Sequence, residues 1–274
     1  MAEPSICSAV IWGKADAHTA AFVHAMNGQV RFLNDGCTDP VAFSPLSKEA
    51  DIVFLTEPFC ETEAAVSDSF HALFFDLTGR HIMDPDWAFG LPVLSPAHGK
   101  MVQRAKKICL PDPLSCGFLL PIFPLVASGL LPPDTGLTCT VTVPGEDCLQ
   151  VPSPLNFAPV TFRSGLTAPP CLLQVSSSSG RMTSVTLPVS AGALTFPRTS
   201  GQLADFYRER FRNQNRIAIV SDCPSVSLSE QTEAPITLHI RAEGAWILLT
   251  SLLKADEAFT AEMVLRCMEE KGIG

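Results

Sequence analysis

Two stretches of the chain have the outline of a reactive site. The first is Gly13-x-x-Asp16-x-x-Thr19, set between an apolar, β-favouring run at 8–12 and a helix-forming run. Strand, glycine turn and helix open a nucleotide-binding βαβ unit, where small residues let the backbone close on a pyrophosphate at the positive helix end. That chemistry wants glycine at all three positions, or a G-x-G-x-x-G run. Here a carboxylate stands at Asp16, which repels a phosphate, and Thr19 stands third. The second stretch, 109–134, has the outline of an active-site turn opening onto a buried helix. The residue types that would do chemistry are absent from it. None of the ten cysteines forms a C-x-x-C pair, so zinc and thioredoxin-like chemistry have no support, and in a reducing compartment the thiols read as small buried hydrophobes. His18 and His24 do not share a helix face and read as surface or cap residues, and His98 and His239 have no partner pattern.

The elements that must position these residues change character at the second stretch. Before it, strands are expected at 8–12, 30–33, 51–56, 72–76 and 107–110. The near-continuous apolar runs at 51–56 and 72–76 suit parallel strands covered on both faces. Helices are expected after Gly13, with apolar positions at Ala17, Ala20, Ala21 and 23–25 and a stop at Gly28, then at 61–70 and 96–106. Glu61 and Glu63 are solvent-facing charges on the second of these. Strands joined by helices predict an open parallel sheet with right-handed crossovers. The segment 84–94 is rich in turns, and its Trp87 and Phe89 either pack beneath a turn or line a pocket.

After the turn, 117–131 is a core helix, too short to span a bilayer and bent or interrupted at Pro121 and Pro124. Alternating runs at 137–143, 182–189, 236–240 and 246–250 predict half-buried strands, the last two as a hairpin through 241–245. A helix at 201–211 turns Leu203, Phe206, Tyr207 and Phe211 inward, and a terminal helix covers 255–271. Residues 144–170 show no period, and 176–180 reads as a flexible tip. The fold class expected is α/β: a Rossmann-like parallel-sheet domain over 1–111, then an α+β domain with a mixed sheet over 112–253. The C-terminal segment 254–274 forms a helix packing back on the first domain.

A net charge of −9 argues against direct nucleic-acid contact, which needs a basic surface to displace counterions. The cluster Arg208, Arg210, Arg212 and Arg216 reads as a solvated helix face. With 46% hydrophobic residues the 274-residue chain can bury a large core and still hold apolar surface for partners, which suits a homo-oligomer or a subunit of a larger assembly. The opening residues run into a strand without a basic, apolar leader, which predicts the cytoplasm. An uncleaved import signal would make the mitochondrion the alternative.

The order of motifs resembles the semialdehyde-dehydrogenase superfamily, and most closely the N-acetyl-γ-glutamyl-phosphate reductases. Asp51-Ile-Val-Phe-Leu matches the strand beneath the cofactor, Asp76-Leu-Thr78 the family's Asp-Leu-Ser, and Phe89-Gly-Leu-Pro-Val-Leu94 its Tyr-Gly-Leu-Pro-Glu-Leu. Leu125-Val-Ala-Ser-Gly-Leu-Leu131 resembles the end of the helix after the catalytic cysteine, and Gly180-Arg-Met-Thr-Ser-Val-Thr the family's Arg-Gly-Met-x-x-Thr strand. The stretches 203–220 and 236–274 follow the family's closing helix, hairpin and final helix. In such an enzyme a thiolate in Asn-Pro-x-Cys attacks an acyl phosphate, and the thioester takes hydride from a nicotinamide.

The resemblance puts Pro113 at the nucleophile position and Thr167 at that of the histidine base. It also puts Glu257 where the family has a lysine near the cofactor. These departures imply a catalytically degraded, pseudoenzyme-like homologue acting as a structural or interaction subunit, with no catalytic residue and no cofactor. Two alternatives follow from the same residues. One is an active NADP-dependent reductase of an acyl phosphate or semialdehyde with rearranged groups. It would use Cys116 as a displaced nucleophile, and NADP would be held if the vestigial site of Gly13, Asp16, Thr19 and Asp76 survives. The other is a ligand sensor with a remnant pocket around Asp76, Gly90 and Cys116. No metal is expected.

Overall fold

The computed structural model describes residues 6–58, 71–144, 157–168, 170–178, 182–196, 199–214, 216–221, 234–254 and 257–273. The chain divides into two compact units, 1–111 with 257–274, and 112–256.

The first unit is a six-stranded sheet in which every neighbouring pair is parallel. Its strands are β1 Ser8–Trp12, β2 Arg31–Phe32, β3 Ile52–Leu55, β4 Leu73–Asp76, β5 Ala88–Phe89 and β6 Lys107–Cys109, in the order β2-β1-β3-β4-β6-β5. Every residue of β1, β3 and β4 is buried, as apolar runs covered on both faces require. Phe54 and Phe75 stack at 5.6 Å between ring centroids, and Phe22 meets Phe54 edge-on at 5.1 Å. The sequence order reverses beside β1: the chain runs first to β2 on one side, then to β3 on the other. Such a switch point leaves a crevice at the carboxyl ends of the strands.

Helix α1, Ala17–Ala25, follows β1, but its inward face differs from the one read off the alanines. Thr19, Phe22 and Met26 are buried, three or four residues apart, whereas Ala17, Ala20 and Ala21 are exposed. The bulky Phe22 and Met26 set the face because they bury the most apolar area. β2 is shorter than the run suggested, and the Asn34 side chain takes over its ladder: its Oδ1 accepts from Ile11 N at 2.8 Å and its Nδ2 donates to Ile11 O at 3.0 Å. Helix α2, Pro40–Glu49, was not legible, since Pro40 and Pro45 read as breakers. Pro40 instead sits in the first turn, where no N–H is needed, behind an Asp39 cap. The helix expected at 61–70, with Glu61 and Glu63, lies outside the described residues.

The turn-rich segment carries β5 and a 3-10 turn at Pro92–Leu94, and helix α3 follows at Pro96–Arg104. Trp87 stacks on His81 at 4.3 Å, and Phe89 lies edge-on to His98, so both aromatics pack beneath a turn. The C-terminal helix, Glu257–Lys271, packs on α1 and α3 through Phe259, Met263, Val264 and Cys267. Lys271 Nζ donates to the carbonyls of Gln103 at 3.1 Å and Ala105 at 2.5 Å, capping the end of α3.

The second unit is a mixed six-stranded sheet in the order β10-β11-β12-β9-β7-β8. Its strands are β7 Thr138–Pro144, β8 Cys171–Ser178, β9 Met182–Ser190, β10 Ile217–Ser221, β11 Ile236–Glu243 and β12 Trp246–Lys254. The two end pairs are parallel and the inner three antiparallel. The helices are α4 Pro113–Ala127, α5 Phe157–Ser164 and α6 Ser200–Arg210. The β11–β12 hairpin extends past the expected limits, and 176–178, read as a flexible tip, are the end of β8, where Thr142 and Ser176 hydroxyls meet at 2.9 Å. The serine-rich composition hid a strand paired in parallel with β7. In α6, Leu203 and Tyr207 are buried, as is Phe211 just past its end, but Phe206 is only half-buried. Arg208 and Arg212 pair with Asp205 and Glu209, each one turn back. No helix among the described residues is long and apolar enough to cross a membrane.

Candidate functional site

A cleft of about 310 Å³ opens at the carboxyl ends of β1, β3 and β4, where the switch point puts it. Gly13 makes the turn out of β1 with φ +149°, and a Cβ there would lie 1.9 Å from Thr56 Oγ1. Only glycine lets the β1 and β3 ends approach this closely. The turn then closes on itself: Thr19 Oγ1 donates to Lys14 O at 2.8 Å, and Thr19 N donates to Asp16 Oδ1 at 2.8 Å. Asp16 is thus the N-cap of α1. That amide bond, first among several causes, holds its carboxyl below the usual range.

Charges around the cleft are paired across it. Lys14 Nζ lies 3.1 Å from Glu57, and His18 Nδ1 lies 2.6 Å from Glu257 on the C-terminal helix. The hydrogen bond to Glu257 raises the His18 pKa, so the pairing is strongest below the ordinary histidine value and fades as pH rises through the raised one. Phe22, Leu77 and Thr260 complete the lining. Three carboxylates therefore face one lysine and one histidine, and the positive end of α1 is capped by one of them. A dinucleotide pyrophosphate fits these residues poorly.

Of the expected vestigial residues, Asp16 and Thr19 line this cleft, Gly13 frames it, and Glu257 joins them from the far end of the sequence. Lys14, His18, Glu57 and Thr260 were not picked out as site residues. For two of them a signal was available: Lys14 and Glu57 each lie two residues past the ends of β1 and β3, where ligands bind in open parallel sheets.

Asp76 is not part of that lining. It ends β4 as the hub of a turn, 1% exposed. Its Oδ1 accepts from Thr78 N and Thr78 Oγ1 at 2.8 and 2.6 Å, and its Oδ2 from His81 N and Nδ1, both at 2.9 Å, and from Cys109 Sγ at 3.2 Å. Burial pushes the carboxyl pKa up, but these hydrogen bonds outweigh it, led by Thr78, and the value is lowered. An ionised carboxylate only accepts, so His81 Nδ1 carries its proton. Gly90 is packed as tightly: a Cβ there would lie 2.5 Å from Leu110 Cδ2 and 3.0 Å from Cys109 O.

At the start of α4, Asp112 is the N-cap and accepts from Ser115 N at 2.9 Å. Pro113 is the first helical residue, a position suited to a residue without an N–H. Cys116 lies on the next turn with 0% exposure. Thr167 is exposed, and both its N and its Oγ1 donate to Pro133 O, at 2.8 and 3.1 Å. Of the described cysteines, Cys109, Cys116, Cys139 and Cys267 are buried and Cys171 is exposed. Burial pushes Cys139 up to about 11 and Cys267 higher still. No group of three or more His, Cys, Asp or Glu that could hold a metal occurs among the described residues.

No family model matches the sequence. Solved structures do match. Aspartate semialdehyde dehydrogenase II from Vibrio cholerae, complexed with ASA, superposes with a TM-score of 0.62 at 12% identity, over 97% of this chain and 98% of that one. Aspartate semialdehyde dehydrogenase from Candida albicans, with NADP, gives 0.62 at 14% identity over 98% and 100%. The Francisella tularensis enzyme gives 0.58 at 9% over 94% and 99%. A parallel sheet with its switch point at β1, a mixed sheet behind helix α4 and a last helix on the first unit are thus the fold of the aspartate semialdehyde dehydrogenases, carried here on a very different sequence.

Proposed function

We propose that the chain is a catalytically degraded homologue of the acyl-phosphate reductases, closest to the N-acetyl-γ-glutamyl-phosphate reductases, retained as a non-enzymatic structural or interaction subunit. One observation carries this reading: the start of α4 presents Pro113, and the first thiol along that helix, Cys116, has no exposure. A thiolate at a helix N-terminus needs both access and a favourable charge environment to attack a carbonyl. Thr167, at the position of the base, cannot accept a proton at neutral pH, and its hydroxyl is bonded to a carbonyl. The reading also takes the crevice to hold no NADP, on the strength of the Asp16 cap and the paired carboxylates.

A partner surface supports the second half of the proposal. On β9 and β12 the buried residues alternate with half-exposed ones, and α4 lies on the buried side through Gly117 against Val185 and Leu253. The other side shows Met182, Pro188, Leu248 and Leu252, with Trp246 50% exposed at the strand end. A second copy of the chain, packing this face on its own equivalent, would cover it.

The catalytic half is tested with N-acetyl-γ-glutamyl phosphate and NADPH, and in reverse with the semialdehyde. The expected turnover is at least about a thousandfold below the ~10 s⁻¹ typical of enzymes. Iodoacetamide is expected to leave Cys116 unlabelled in the native protein. Reduction at an ordinary enzymatic rate, with labelling of Cys116 blocked by the acyl phosphate, would instead establish the active reductase with a displaced nucleophile.

A further inference from the structure

The crevice at the end of β1 sits where dinucleotides bind in open parallel sheets. Its charges do not match such a ligand. A pyrophosphate in this position is held by the amides and dipole of the helix N-terminus and by nearby cations. In this chain both kinds of partner are already engaged. The Thr19 amide donates to Asp16, the Thr19 hydroxyl donates to Lys14 O, Lys14 Nζ faces Glu57, and His18 faces Glu257.

We infer that the chain supplies from its own side chains the anions that this crevice would otherwise take from a ligand: Asp16 holds the helix end, Glu257 holds the imidazole, and together they exclude NADP(H). The inference rests on the reading of the chain as non-catalytic, and adds the device that keeps NADP(H) out. Asp16 and Glu257 are 241 positions apart in sequence, yet their partners Thr19 and His18 are adjacent. The two carboxylates thus converge on one turn of α1 from opposite ends of the first unit's sequence. A phosphate entering there would have to displace a bound carboxylate and remain beside it. A like charge there works against a phosphate even where solvent screens the pair.

The test is a fluorescence titration of the full chain with NADPH at low salt, comparing wild type, Asp16→Ser, Glu257→Gln and the double variant. Serine keeps the N-cap hydrogen bond while removing the charge, so α1 is retained, and circular dichroism checks it. Wild type is expected to show no saturation up to about 1 mM, and the double variant to bind at least about tenfold more tightly than that limit. Each single variant should fall between. Micromolar binding by wild type overturns the inference, and so does a folded double variant that gains nothing. The same samples assayed with the acyl phosphate separate the two readings. Wild-type binding without hydride transfer overturns the carboxylate device alone, whereas hydride transfer by wild type overturns both.

Discussion

At the scale of single residues, Asp76 is the hub of a buried turn. The buried carboxylate takes two backbone amides, a hydroxyl, an imidazole and a thiol, so it ties the β4–β5 turn to the end of β6. Changing Asp76→Asn replaces an acceptor by a group that can donate from one side, and leaves two or three of these donors buried without a partner. The expected loss is about 2–4 kcal/mol of unfolding free energy at neutral pH, read from urea denaturation. The pH dependence follows in sign. A carboxyl lowered in the folded state contributes its stability above its unfolded value of about 4, and that contribution is lost as pH falls through the folded value. The acid limb of the stability curve should therefore flatten in the variant. An unchanged limb and a loss under about 0.5 kcal/mol would mean that the turn holds itself without Asp76.

At the scale of elements, α4 decides how the second unit is built. Pro121 and Pro124 lack the N–H groups that would bond back to Gly117 and Leu120, yet the helix runs unbroken from Pro113 to Ala127. Burial compensates: Phe118, Leu119, Ile122 and Leu125 are all in the core, and the buried Tyr207 hydroxyl donates to Pro121 O at 2.5 Å. The reading of 117–131 as a core helix foresaw this burial, while its start at Pro113 was hidden because proline reads as a breaker rather than a first-turn residue. The same blindness concealed α2 behind Pro40 and Pro45. Gly117 lets α4 approach the sheet, where a Cβ would lie 2.8 Å from both Leu253 Cδ1 and Val185 Cγ2. Alanine gains up to about 1 kcal/mol of helix propensity there, but overpacking costs about 1–3 kcal/mol. Gly117→Ala should therefore lower the thermal midpoint, and a raised midpoint would show that the two side chains swing aside freely. The crevice was half legible for a different reason. Gly13, Asp16 and Thr19 stand in one local motif, but the pairs Lys14–Glu57 and His18–Glu257 join residues far apart in sequence, and no spacing rule links them.

At the scale of the whole molecule, the aspartate semialdehyde dehydrogenase fold persists at 14% identity or less in the three structures compared. Its two sheets depend on patterns that many sequences satisfy: continuous apolar strands in the first, alternating ones in the second. That tolerance explains why the architecture was legible while the activity must be argued from a few positions. It also sharpens the case for a partner. On the face of β9 and β12 away from α4, threonines and serines keep the strands paired, and Thr186 and Thr250 hydroxyls meet at 3.0 Å. The same face keeps Leu248, Leu252, Met182 and Pro188 half-exposed, although those positions are free to be charged in a sheet face meant for water. Sedimentation velocity on the full chain should therefore report a mass near twice 29.4 kDa at micromolar concentration. Leu248→Asp combined with Leu252→Asp should shift it to the monomer, with the strand circular dichroism retained, because burying two unpaired charges against a partner costs far more than leaving them in water. A wild-type monomer across that range, or a variant that stays paired, would place the interface elsewhere and leave this face to a different partner or to solvent.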